Sequence, residues 1–149
     1  MKQHLITKNR KGYYNYSISD ELEAGIVLEG YEVKSIRNHD IHINESYAIF
    51  KQGELWLINS YIEPYRHHTQ SIIDPTRNRK LLLHKKEIIA LQKKVESKQL
   101  SLIPIRVYIK QNKVKISIGI GTPKKKFDKR QSMKLRDTQR DIEKRFKFG

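Results

Sequence analysis

Hydrophobic and polar positions alternate most cleanly between residues 105 and 118. Ile105, Val107 and Ile109 interleave with Arg106, Tyr108 and Lys110. Beyond Gln111-Asn112 the pattern resumes, with Val114, Ile116 and Ile118 set among Lys113, Lys115 and Ser117. A period of two on both arms predicts an antiparallel pair with one face in a core and the other in solvent. The outward face then carries Arg106, Lys110, Lys113 and Lys115, a basic surface on a rigid support.

Other segments give shorter signals. The aromatic and β-branched stretch from Tyr13 to Ile18 predicts a strand, and Gly25-Ile26-Val27-Leu28 a short buried one. Ser46 to Lys51 and Glu54 to Asn59, joined by Gln52-Gly53, predict a hairpin. Its arms are apolar on both faces, as in buried strands. Ile88, Leu91 and Val95 lie at i, i+3 and i+7 within 84–98, one stripe of an amphipathic helix. Tyr31 to Arg37 predicts a short helix with Val33 and Ile36 inward and Lys34 and Arg37 outward. The chain therefore reads as mainly β with two or three helices, forming a small closed antiparallel barrel. An OB-like β-barrel is one such barrel, and it commonly binds nucleic acid through its outer face. Periodicity does not choose it over others.

Composition narrows the class. A chain of 149 residues accommodates one domain and an appendage. The absence of cysteine excludes disulfides and thiolate metal sites and suits a reducing cytoplasm. Lys2, His4, Lys8, Arg10 and Lys11 break up the first twenty residues, so no secretory leader is expected there. No run approaches the roughly 18 apolar residues of a membrane span. A soluble protein is expected. The net charge of +15 calls for a polyanionic partner, and nucleic acid fits better than an acidic membrane, which favours a basic helix with a bulky apolar face.

That charge is uneven. Residues 122–149 hold eleven Lys and Arg against four Asp and Glu, with too few large apolar residues to offset chain entropy. The expected division is an RNA-binding body over 1–121 and a basic C-terminal tail over 122–149. The tail would lack fixed structure in isolation.

Sites for catalysis are weakly indicated. His39 and His42 lie i, i+3 and His67-His68 are adjacent, but no zinc-hydrolase spacing occurs, so no metal is expected. Gly119-Ile120-Gly121-Thr122-Pro123-Lys124 has the wrong spacing for a phosphate loop, and its proline removes a needed N–H. Asp20, Glu21 and Glu23 cluster, on a stretch that reads as a loop leading into a strand. Metal-dependent RNA cleavage is the enzymatic alternative, and a ribosome-associated structural protein is a third reading. Tyr13, Tyr14 and Tyr16 beside Asn9, Arg10 and Lys11 suit base stacking with phosphate contacts, or are core residues. Arg77, Arg79 and Lys80 form a basic cluster before an apolar run, suited to clamping phosphates or to solvation.

Five segments together resemble the small protein B family, the SsrA-binding proteins. They are Asn9-Arg10-Lys11, Leu22-Glu23-Ala24-Gly25-Ile26, Gly30-Tyr31-Glu32-Val33-Lys34-Ser35-Ile36-Arg37, Asp74 to Leu83, and Phe127-Asp128-Lys129-Arg130. The resemblance implies a non-enzymatic, cofactor-free bacterial cytoplasmic protein, acting as a monomer. It implies an OB-like barrel gripping the tRNA-like domain of transfer-messenger RNA. It also implies a basic tail in the decoding centre and empty messenger channel of the small ribosomal subunit. The spacing of Leu135, Ile142 and Phe146, i, i+7 and i+11, predicts that the tail becomes helical there. Ribosome rescue and tagging of the stalled peptide would follow. The RNA-contacting positions it implies are Asn9, Glu23, Leu82 and Lys115, with Arg10, Lys11, Lys34, Arg37, Arg77, Arg79, Lys80 and Lys113 around them. Lys124, Lys125, Lys126, Phe127, Asp128, Lys129 and Arg130 would face the decoding centre. Gly12 departs from the family's usual alanine, and Tyr14 from its common histidine.

Overall fold

The computed structural model describes residues 3–64, 73–125 and 130. The order is β1 (His4–Lys8), α1 (Arg10–Asn15), β2 (Tyr16–Ile26), α2 (Gly30–Arg37), β3 (Ile41–His42), β4 (Tyr47–Lys51) and β5 (Glu54–Ile58). It continues with β6 (Tyr61–Ile62), β7 (Arg79–Leu82), α3 (Lys85–Lys98), β8 (Ser101–Lys110) and β9 (Lys113–Pro123). The protein is mainly β with three helices among the described residues. One antiparallel sheet runs β1-β8-β4-β5-β7-β2-β9, with β9 pairing again onto β8, and β3 pairs with β6 apart from it.

The alternation over 105–118 becomes the β8–β9 hairpin. Val107 faces Ile116 and Ile109 faces Val114 across it. Gln111 and Asn112 both take positive φ, 53° and 62°, whose twist matches the flanking strands. Ile36, Leu55, Leu57, Leu81, Ile105, Ile116 and Ile118 fill the core, none more than 1% exposed. Each such residue contributes about 1.5–3 kcal/mol by leaving water. On α3 Leu91 is buried, with Ile88 and Val95 half-buried beside it. The helix stops where Gln99 turns left-handed, φ 51°.

Several expectations change. Tyr13 and Tyr14 lie in α1, not in a strand, because Asn9 caps a helical turn that local aromatic propensity disguises. The strand begins at Tyr16 and runs eleven residues, so Asp20, Glu21 and Glu23 stand on β2 instead of a loop. Val27 is exposed rather than buried. The β4–β5 hairpin buries one face only. Tyr47 pairs with Ile58 and Ile49 with Trp56 on the outside, while Ala48, Leu55 and Leu57 turn inward. Gly121, in the stretch compared with a phosphate loop, is mid-strand in β9, and a Cβ there would collide with the Ser17 carbonyl. β9 runs through Pro123, two residues past the expected body boundary. Most of the expected tail, 126–129 and 131–149, lies outside the described residues, as do His67 and His68.

Candidate nucleic-acid interface

On β2 the period of two turns Leu22 and Ala24 toward the core and Glu21 and Glu23 outward. β9 lies between β2 and β8, so the registers run in rows: Glu23–Ser117–Arg106, then Gly25–Lys115–Tyr108. Glu21 accepts hydrogen bonds from the Arg106 guanidinium, from Ser117 Oγ at 3.2 Å and from the Tyr13 hydroxyl at 3.0 Å. Glu23 accepts from the Tyr108 hydroxyl at 2.5 Å and from Lys110 Nζ at 3.4 Å.

These contacts shift the titrations in opposite directions. The Tyr108 hydroxyl holds the Glu23 carboxyl below its ordinary value against the opposing effect of burial, aided by Lys110 and Lys115. Burial and then Glu23 push the Tyr108 phenol well above its usual range, so it stays a donor. Tyr13 rises too, by burial and its bond to Glu21. Two carboxylates thus order a face whose other charges, Arg106, Lys110, Lys113 and Lys115, are positive. Lys113 is exposed and Lys115 half-buried. Leu82 is 48% exposed and pairs with Gly25, extending the second row. A Cβ on Gly25 would sit 3.2 Å from the Leu82 Cβ, so glycine lets Leu82 lie across it.

Asn9 is different. It is fully buried: Nδ2 donates to the carbonyls of Pro104 at 2.8 Å and Ile43 at 3.2 Å, and Oδ1 accepts from Gly12 N–H at 2.9 Å. The expected RNA contact at Asn9 thus falls on a side chain with neither surface nor donors to spare in this structure. A Cβ on Gly12 would come within 3.0 Å of Asn9 Nδ2, which fits glycine at this departure from the family pattern. Arg10 is exposed on α1, and Lys11 is paired with Glu45.

The 77–80 basic cluster is likewise divided. Arg79 is 0% exposed, and its guanidinium binds Glu32 at 2.6 and 2.7 Å, both oxygens of Ser60 and the Pro75 carbonyl. None of its donors faces solvent in this structure. Burial pulls its ordinary value down while Glu32 opposes this. Glu32 is raised by burial, but the Glu29 N–H, Arg77 and Arg79 outweigh that and leave its carboxyl below the usual range. Arg77 is half-exposed and turned to the same Glu32 at 2.5 Å, and Lys80 pairs with Glu54 at 3.0 Å. Lys34 and Arg37 are exposed on the last turn of α2, a separate element.

Beyond β9, the Lys124 N–H bonds the Asn15 carbonyl at 2.8 Å, while Lys125 and Arg130 are exposed. Lys126, Phe127, Asp128 and Lys129 lie outside the described residues. Sequence reasoning did not assign Glu21 or Tyr108 to the site. The signal for Tyr108 was its outward phase between Arg106 and Lys110. For Glu21 it was the same-face spacing of two from Glu23.

Among the described residues no group of three His, Cys, Asp or Glu side chains is placed to hold a metal, and no helix is long and apolar enough to cross a membrane. A basic sheet face ordered by carboxylates is the kind of surface that RNA-binding β proteins present. The chain belongs to the SmpB protein family, which matches residues 6–148. It is 46% identical to the SsrA-binding protein of Sulfurihydrogenibium sp. over 147 residues, covering 99% of this chain and 97% of the relative. It is 45% identical to that of Mycoplasma mycoides over 148 residues, 99% of this chain and 100% of the relative. A solved chain described with tmRNA-SmpB and the bacterial ribosome superposes with a TM-score of 0.66 at 38% identity, over 85% of this chain and 93% of that one.

Proposed function

We propose that the protein binds the tRNA-like domain of transfer-messenger RNA, delivers it to stalled ribosomes and lets the nascent peptide be tagged for degradation. The observation that carries this reading is similarity to SsrA-binding proteins along nearly the whole chain. The ordered basic face is consistent with it. Glu23, Leu82 and Lys115 form the centre of the RNA contact, flanked by Lys113 and Arg10, with Asn9 holding α1 in place. A carboxylate suits RNA because it accepts from base amino groups and 2′-hydroxyls. The return pairing of β9 onto β8 supports a closed, OB-like barrel. The protein acts by binding, without catalysis, as a monomer in the bacterial cytoplasm. The body carries RNA affinity, and the segment from Lys124 onward, with Phe127 and Arg130, works in the decoding centre and messenger channel.

Sequencing the RNA that co-purifies with the full-length protein tests the reading. Strong enrichment of transfer-messenger RNA is expected. Bulk ribosomal RNA or mixed transfer RNA without that enrichment would overturn it. A chain ending at residue 126 is expected to keep RNA binding and lose tagging. Full tagging by it would refute the division of labour.

A further inference from the structure

The outward face does not stop at β8. Leu5 pairs with Tyr108 and Lys8 with Arg106, which extends the two rows onto β1. One row then runs Leu82, Gly25, Lys115, Tyr108, Leu5, and the other Glu23, Ser117, Arg106, Lys8. In a regular strand Leu5 and Lys8, three residues apart, would point to opposite faces. The register slips between Leu5 and Thr7, however, and Ile6 turns into the core at 7% exposure while Leu5 and Lys8 both stay outside. Such an irregularity sacrifices ladder pairing, and its usual use is to re-aim a side chain. Here it brings an apolar side chain and a cation into one cleft with Arg106 and Tyr108.

Charge and polarity in the cleft are specific. Arg106 shares its charge with Glu21, but no carboxylate among the described residues pairs with Lys8. Leu5 is 47% exposed, a large apolar side chain held in solvent beside two cations. That combination matches a nucleotide, which offers an anion next to an apolar sugar and base. We propose that this β1–β8 cleft is a second RNA-contact site. It takes one nucleotide of the strand lying on the Glu23 face, with the phosphate on Lys8 and Arg106 and the sugar or base on Leu5, over the buried Tyr108 ring that floors the cleft. The inference rests on the RNA-binding reading above and extends its footprint by one strand.

The test is fluorescence titration of the tRNA-like domain RNA with full-length variants over a range of salt. Lys8→Gln is expected to weaken binding about three- to tenfold and make the log–log salt slope shallower by about 0.7–0.9, the effect of one lost phosphate contact. Lys8→Arg should keep both, and Leu5→Glu should weaken binding at least as much as Lys8→Gln. Both positions are exposed, and unchanged thermal melts would confirm intact folding. Lys51→Gln, an exposed cation at the β4 hairpin end, supplies the charge-matched control. If Lys8→Gln matches Lys51→Gln while Lys115→Gln weakens binding, the cleft is not a contact site and the RNA-binding reading stands. If the unaltered protein does not prefer this RNA to an unrelated duplex of equal length, that reading falls and the cleft falls with it.

Discussion

Glu32 and Glu23 each gather donors from distant parts of the chain, yet one lies in the interior and the other at the surface. Around Glu32, 1% exposed, stand Arg77 and Arg79, and Arg79 is as buried as the core isoleucines. Around Glu23, 36% exposed, stand Tyr108 and Lys110, with Lys115 nearby. Both clusters set a glutamate among cations, but burial changes the job. The interior cluster ties α2 to the segment leading into β7, and both its cations are paired to Glu32. The surface cluster fixes the direction of a carboxylate while leaving positive charge for a partner. Formal charge therefore overstates binding charge, and the difference can be read only when each cation's surroundings are known.

The largest effect should come from breaking the interior cluster. Arg79→Met removes the buried one of the two counter-charges of Glu32 and leaves the Ser60 oxygens without their donor. A loss toward the low end of about 3–5 kcal/mol, the cost of breaking a buried pair, is expected, because Arg77 still faces Glu32. A lower urea midpoint at constant m-value would show it. Stability within experimental error of the unaltered protein would mean that the two clusters do not differ as described.

A smaller loss is expected at Asn9, which belongs with the interior despite its place among the expected RNA contacts. Asn9→Ala deprives the Pro104 carbonyl of its side-chain donor and removes the α1 cap, while the Ile43 carbonyl keeps its bonds from Ser46. The lost donor costs about 1–3 kcal/mol and the cap about 1. RNA affinity measured well below the new unfolding midpoint should fall less than with Glu23→Ala. The reverse ranking would restore Asn9 as a direct contact.

The smallest effect concerns the surface cluster and is read by titration. The folded carboxyl of Glu23 sits below its ordinary value, so its stabilising contribution is complete above the unfolded value. It is lost as pH falls through the folded one. Tyr108→Phe deletes the largest cause, and the Glu23 midpoint by NMR should move up toward its ordinary value. No movement would mean that Lys110 and Lys115, not the phenol, set its charge.

How much of this was legible beforehand follows the range of each interaction. The β8–β9 hairpin, the β4–β5 hairpin, α3 and α2 were legible in the local pattern, because the side-chain period is a property of the segment itself. The basic outer face over 106–115 followed from the same period, and five short motifs carried the family resemblance. The helix α1 was masked, because Tyr13, Tyr14 and Tyr16 favour strand locally while a single cap at Asn9 decides otherwise. Whether a polar residue is outside or inside was not legible at all. Asn9 is buried by carbonyls 34 and 95 residues away, and Arg79 by a carboxylate 47 residues away. The register slip that turns Lys8 outward exists only against β8. Sequence determined the elements and the charge. Tertiary structure decided which charges a partner can reach, because a buried polar group is stable only where distant parts of the chain supply its hydrogen bonds.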